Sequence, residues 1–169
     1  REQAGWQTHE ITPLDRLAYI GSRAMGALEY QPEILTENRI DTVNIAQLAH
    51  SAEQLLRGET PEVLKQLQIQ GGSPGGARPK VTVALSEQSN ECLSGFHELP
   101  TSYAHWMVKF RGHEDTPDMG RIELAYARMA ALAGLTMPES RLISVQKDKS
   151  NDDFFAVRRF DRDGHVRHH

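Results

Sequence analysis

The stretch Gly71-Gly72-Ser73-Pro74-Gly75-Gly76-Ala77-Arg78-Pro79-Lys80, followed at once by Val81-Thr82-Val83-Ala84-Leu85, decides how the rest of the chain is read. Four glycines and two prolines in ten residues mark a turn-rich loop, and the apolar, β-branched run behind it has the length of a strand. A glycine-rich turn feeding a strand offers backbone N–H groups uncovered by side chains, so it can wrap an anion such as a phosphate. Arg78 and Lys80 bring positive charge to the same place. A surface connector has the same composition, and the stretch fits neither G-x-x-x-x-G-K-[ST] nor G-x-G-x-x-G. Its meaning depends on what surrounds it.

Working outward, the chain has 169 residues, enough for one domain or slightly more. Its 38% hydrophobic and 25% charged residues are ordinary for a globular protein with a real core. A formal net charge of −4 gives no sign of bulk nucleic-acid affinity, so no direct nucleic-acid binding is expected. A single cysteine, Cys92, excludes an internal disulfide framework and fits a reducing compartment. No apolar run approaches the roughly 20 residues that span a bilayer, and no signal-like segment is visible, which reads as a cytoplasmic protein with no membrane partner. The chain starts at Arg1 and stops at His168-His169 directly after a turn signal, so it reads as a piece of something longer.

Upstream of the loop, apolar residues come in short pieces, and Gly21–Pro32 reads as a glycine-bounded turn before an aromatic-ended strand. Ile45, Leu48, Ala49, Ala52, Leu55 and Leu56 then share one helical face, with Asn44 and Gln47 spaced as a capping box and Gly58 as a stop. Thr60-Pro61 restarts a shorter helix to about Leu67. Downstream, Val81–Leu85 is a strand, Ser86–Glu91 a turn, and Cys92–His97 a weak strand. Ala104–Phe110 is a further strand in which Lys109 stands out, because a lysine in an apolar strand costs several kcal/mol to desolvate unless it meets an anion or snorkels to water. Thr116-Pro117-Asp118 opens a well-capped helix whose stripe is Ile122, Tyr126, Met129, Ala130 and Ala133, ending at Gly134 and Pro138. Glu123 lies beside that stripe, in a position that would also suit the helix dipole. Arg141–Gln146 pairs with Phe154–Phe160 through a turn at Lys147–Asp152, and Asp161-Arg162-Asp163-Gly164 is another turn. The fold class is α+β: an antiparallel sheet with flanking helices from 68 to 169, preceded by a small subdomain from 1 to 67.

Glycine loop, strand, turn, strand ending in lysine, helix carrying an early glutamate, hairpin: that order resembles the nucleotide-binding lobe of a kinase. Five segments in order, Gly21–Pro32 (GSRAMGALEYQP), Gly71–Lys80 (GGSPGGARPK), His105–Phe110 (HWMVKF), Glu123–Pro138 (ELAYARMAALAGLTMP) and Ala156–Arg162 (AVRRFDR), resemble HipA, the serine/threonine kinase toxin family of bacterial toxin–antitoxin modules. The resemblance implies a kinase-like N-lobe that binds ATP with Mg2+, phosphorylates a protein serine, and is neutralised by a HipB-like DNA-binding antitoxin. It implies that Ser73 is the autophosphorylated loop serine and that Gly75, Gly76 and Ala77 form the phosphate-covering turn, with Lys80 beside them. Lys109 becomes the phosphate-contacting lysine, Glu123 its possible orienter, and Arg158 to Phe160 the hinge beside adenine. Phosphorylation of Ser73 would add roughly two negative charges where ATP binds and switch the kinase off. The catalytic and metal-binding aspartates of the family belong to a helical C-lobe, so this chain by itself is expected to be inactive.

Two other readings stay open at this stage. One is a non-catalytic kinase-like module or pseudokinase holding an antitoxin or other protein; the other is an unrelated α+β domain with a plain connector loop. Eight histidines show no spacing with a metal-binding mechanism, so no metal site is expected within the chain. Asp161 and Asp163 have the backbone reasons of turn residues, and Cys92 has no diagnostic neighbour.

Overall fold

The computed structural model describes residues 12–24, 26–34, 42–56, 78–88, 91–94, 99–147, 150–163 and 166–168. The expected helix near 61–67 and the glycine loop through Ala77, with Ser73, Gly75 and Gly76, lie outside the described residues, as do Glu91's preceding turn residues 89–90 and the end of the weak strand at 95–98.

The first described element is a helix that the short apolar pieces had hidden. Thr12 and Asp15 cap each other across the first turn of α1 (Pro13–Ile20), and Pro13 sits where its missing N–H is no loss. Gly21 closes α1 at positive φ, and a single 3-10 turn, Gly21–Arg23, follows. The strand expected before Pro32 is not seen: residues 28–30 have no ladder partner among the described residues. That segment is held by other means. Arg162 donates to the Gly26 carbonyl at 2.8 Å, and Arg167 donates to the Ser22 carbonyl at 2.9 Å while pairing with Glu29.

Helix α2 (Ile45–Leu56) follows its sequence closely. The Asn44 side chain accepts from Ala46 N at 2.9 Å and Gln47 N at 3.3 Å, and Ile45, Leu48, Ala49 and Ala52 are buried. Strands β1 (Lys80–Ser86), β2 (Cys92–Ser94), β3 (Tyr103–Lys109), β4 (Ser140–Lys147) and β5 (Ser150–Arg158) form an antiparallel sheet in the order β2-β1-β3-β5-β4. The β4–β5 turn is tighter than the sequence indicates: Lys147 pairs with Ser150, so polar residues 150–153 extend the strand instead of looping. Arg162 and Asp163, expected within a turn, form β6 (Arg162–Asp163), which pairs with β7 (Val166–Arg167) in a small hairpin.

Alternation sorts the sheet into two faces. Val81, Val83, Leu85, Trp106, Val108, Phe154 and Ala156 join the α2 residues in the main core. The other face carries a smaller cluster, Leu124, Ala127 and Phe155 with Leu142 and Val157, beneath α3 (Met119–Leu132). The stripe expected from the sequence, Ile122, Tyr126, Met129, Ala130 and Ala133, is not the buried one. The buried face of α3 is Gly120, Leu124 and Ala127, while Tyr126 is 67% and Leu132 88% exposed. The N-cap also differs: Asp118 makes no capping bond and instead meets Arg121 at 3.3 Å. Gly120 explains which face wins, because any side chain there would overlap the Asp153 carbonyl. Only a glycine lets the helix backbone approach β5 so closely, and Glu123, one turn on, is thereby carried to the sheet.

Candidate functional site

β1 and β3 pair so that Lys80 stands directly opposite Lys109, on the α3 face. Like charges at opposed positions repel, so each needs a counter-charge. Lys109 has one: its Nζ donates to Glu123 Oε2 at 2.8 Å, and the ammonium also lies 5.3 Å from the Phe155 ring centroid. The stem therefore crosses apolar surface while the charge is met, which answers the desolvation problem posed by a lysine in this strand. Lys80 makes no ion pair among the described residues.

The second oxygen of Glu123 is not idle. Arg78 Nη1 donates to Glu123 Oε1 at 2.9 Å, while its Nε and Nη2 donate to the two oxygens of Asp115 at 2.7 and 2.9 Å. Asp115 is further fixed by the Gly112 N–H at 2.6 Å. The Arg78 hydrogen bond holds the Asp115 carboxyl below its usual range, and Asp115 in turn raises Arg78. Arg78 thus differs from its sequence reading as a cation waiting beside an anion, since its donors are engaged by two carboxylates. Asp115 was hidden in a stretch that reads only as a polar loop. Its partner lies 37 residues away, and nothing local to the loop announces the pairing.

Arg78, Lys80, Lys109, Gly112, Asp115 and Glu123, with His113 and Glu114 at the rim, line a cavity of about 550 Å³. The structure therefore brings Lys80, Lys109 and Glu123 together. It does not bring Arg158 or Phe160 to the same cavity. Arg158 pairs across the sheet with Trp106, three residues along β3 from Lys109, and its side chain lies 3.5 Å from both Glu87 and Glu139. Phe160 is 83% exposed just beyond β5.

The donor set suits a phosphate-bearing ligand, because it offers two ammonium groups on one open wall. It does not suit magnesium: Glu123 is shared by Lys109 and Arg78, and Asp115 is taken by Arg78 and Gly112. Asp161, a few residues past β5, is equally committed. Burial raises its carboxyl, but the Arg159 hydrogen bonds at 2.9 and 2.7 Å and the charges of Arg159 and Arg162 outweigh that, leaving it lowered. It is a half-buried partner of the arginines as well as a turn residue. Cys92 is buried, and burial pushes its thiol up to about 12, which leaves it unreactive at neutral pH. Among the described residues, no helix is long and apolar enough to cross a membrane.

The family model for the HipA-like C-terminal domain matches residues 72–169, more than half of the chain, and the chain belongs to the HipA family. No curated protein and no solved structure matches it.

Proposed function

We propose that this chain is the ATP-holding portion of a HipA-like serine/threonine protein kinase. One observation carries the reading: Lys109, paired with Glu123, and Lys80, without an ion-pair partner among the described residues, face one cavity from opposed positions of β1 and β3. Glu123 meets the charge of Lys109, whereas Lys80 opposite it has no counter-charge among the described residues, and the phosphates of a nucleoside triphosphate would supply one. In this reading Lys109 donates to phosphate oxygens while Glu123 keeps its ammonium aimed, and Lys80 adds the second cation. Phosphoryl transfer needs little more from this side of the site than positioning and charge. Arg158 to Phe160 would lie beside adenine, at the end of β5 away from the lysines. Ser73, Gly75, Gly76 and Ala77 would cover the phosphates, with Ser73 the autophosphorylated residue.

The rest of the machinery belongs to the same proposal. The aspartates that hold magnesium and orient the acceptor serine are assigned to a C-lobe beyond Phe160. A HipB-like antitoxin is the expected partner and the bacterial cytoplasm the expected compartment.

The test is ATP titration of the folded chain by ligand-detected NMR. Lys109→Met and Lys80→Met should each weaken ATP binding about tenfold, near 1.4 kcal/mol. If Lys109→Met folds and binds ATP as the parent chain does, the nucleotide reading is wrong.

A further inference from the structure

We infer that Arg78, held by Asp115, is a positioning residue for the Lys109–Glu123 pair; the inference rests on the nucleotide reading above. An unbroken series of charge-assisted bonds runs from the Gly112 N–H through Asp115, Arg78 and Glu123 to Lys109, at 2.6 to 2.9 Å throughout. The Asp115 and Glu123 side chains are mostly buried, whereas those of Arg78 and Lys109 are about a third exposed at the cavity wall.

The geometry divides the work. Asp115 takes two of the three guanidinium nitrogens in a fork, which fixes the plane of Arg78. The third nitrogen then fixes one oxygen of Glu123, so the other oxygen can face only Lys109. Without Arg78, a glutamate with three rotatable bonds would meet a lysine with four, and neither would be held. Arg78 also shares the Glu123 charge, so Lys109 is less neutralised by its partner and keeps attraction for an anion in the cavity.

A simple charge effect makes different demands. Arg78, Lys80 and Lys109 are balanced in sign by Glu114, Asp115 and Glu123 around the cavity. If only the sum mattered, Arg78→Lys would change nothing, and Asp115→Asn would tighten the binding of an anion by removing a negative charge. If Arg78 acts by position, both substitutions weaken binding, because lysine cannot make the fork and asparagine cannot accept it at both oxygens.

ATP titration of the full chain decides between these. Arg78→Lys should weaken binding about fivefold and Asp115→Asn about threefold, the second against the direction of its charge change. Asp115→Glu, which keeps a two-oxygen acceptor, should recover to within about twofold of the parent. Arg78→Lys binding as the parent does, or Asp115→Asn binding more tightly, overturns the inference. Should Arg78→Lys fail to fold, the asparagine and glutamate variants at Asp115 decide alone by the same criteria. Lys109→Met separates the two levels. Normal loss there with none at Arg78 or Asp115 removes only the positioning role, whereas no loss at Lys109 removes the nucleotide reading and this inference with it.

Discussion

The two faces of the five-stranded sheet are built from alternate residues of the same strands, yet one is apolar and the other is charged. Under α2 lie Val81, Val83, Trp106, Val108, Phe154 and Ala156, all nearly or fully buried. Under α3 and beside it lie Lys80, Lys109, Asp153 and Ser144, with a smaller apolar cluster at Leu124, Ala127, Phe155 and their two neighbours. Burying apolar area stabilises by roughly 25 cal/mol per Å², so the α2 face holds most of the fold together. The α3 face can then carry charges whose net contribution to stability is small, because desolvation offsets much of their attraction. The difference teaches where a site can be afforded: on the face that the core does not need.

Breaking the apolar face should have the largest effect. Trp106 is buried, and the Arg141 guanidinium lies 4.5 Å from its ring centroid. Trp106→Ala is expected to cost about 3 to 5 kcal/mol, measured by urea unfolding, through lost burial and the cavity left behind. Leu124→Ala, on the opposite face, should cost about 2 to 3 kcal/mol. Equal losses at the two positions would mean that the faces share the stability evenly.

How legible the two faces were in the sequence differs for a physical reason. The α2 face could be read, because period-two alternation in Val81–Leu85 and the spacing of Ile45, Leu48, Ala49 and Ala52 each report a single burial surface. The helix at 119–132 could be located from its ends but not oriented. Its apolar residues go nearly all the way round, and Ile122, Tyr126 and Met129 look as core-like as Leu124 and Ala127. What orients it is the backbone contact at Gly120, and a glycine in a helical pattern reads only as a weak helix former. Lys109 of the candidate site stands out in the sequence as an apolar strand's odd residue, and Glu123 through the kinase-like order of elements. Asp115 was not, since a carboxylate in a polar loop is unremarkable until the fold brings Arg78 to it. The capping of α1 by Thr12 and Asp15 was readable in principle from Thr-Pro-x-Asp, but short apolar pieces masked its period.

Acid should sharpen the comparison by acting on the charged face and the arginine cluster while sparing the apolar one. Ser144 and then Arg121 hold the Asp153 carboxyl low, Arg78 does so for Asp115, and the arginines around Asp161 outweigh its burial. Each folded pKa lies below its unfolded value near 3.9. The stability these groups contribute is therefore fully present above that value and is lost as pH falls through the folded ones. Urea midpoints should hold steady from pH 8 to 5 on their account, then fall as the pH is taken below the unfolded value near 3.9. Asp153→Asn should shrink that drop. A flat profile through pH 3 would show that these carboxylates are not held by their partners.

The smallest expected effect concerns the outward face of α3, and it tests the orientation of the helix directly. Tyr126, Met129 and Leu132 point away from the sheet, so their replacement removes almost no buried area. Glutamine is the informative substitute, because it is a good helix former and leaves propensity nearly unchanged from methionine or leucine. Met129→Gln and Leu132→Gln should each shift stability by no more than about 0.5 kcal/mol, as is usual for surface positions. Leu124, two residues before Tyr126 on the same helix, should respond several times more strongly by the criterion given above. The contrast is demanding because the two sets are of similar chemistry and lie within nine residues of each other. A loss near 2 kcal/mol at Met129, with little at Leu124, would rotate the helix by almost half a turn about its axis. That rotation would take Glu123 off the sheet and dissolve its bonds to Lys109 and Arg78, so the site as a whole stands on which of these leucines and methionines is inside.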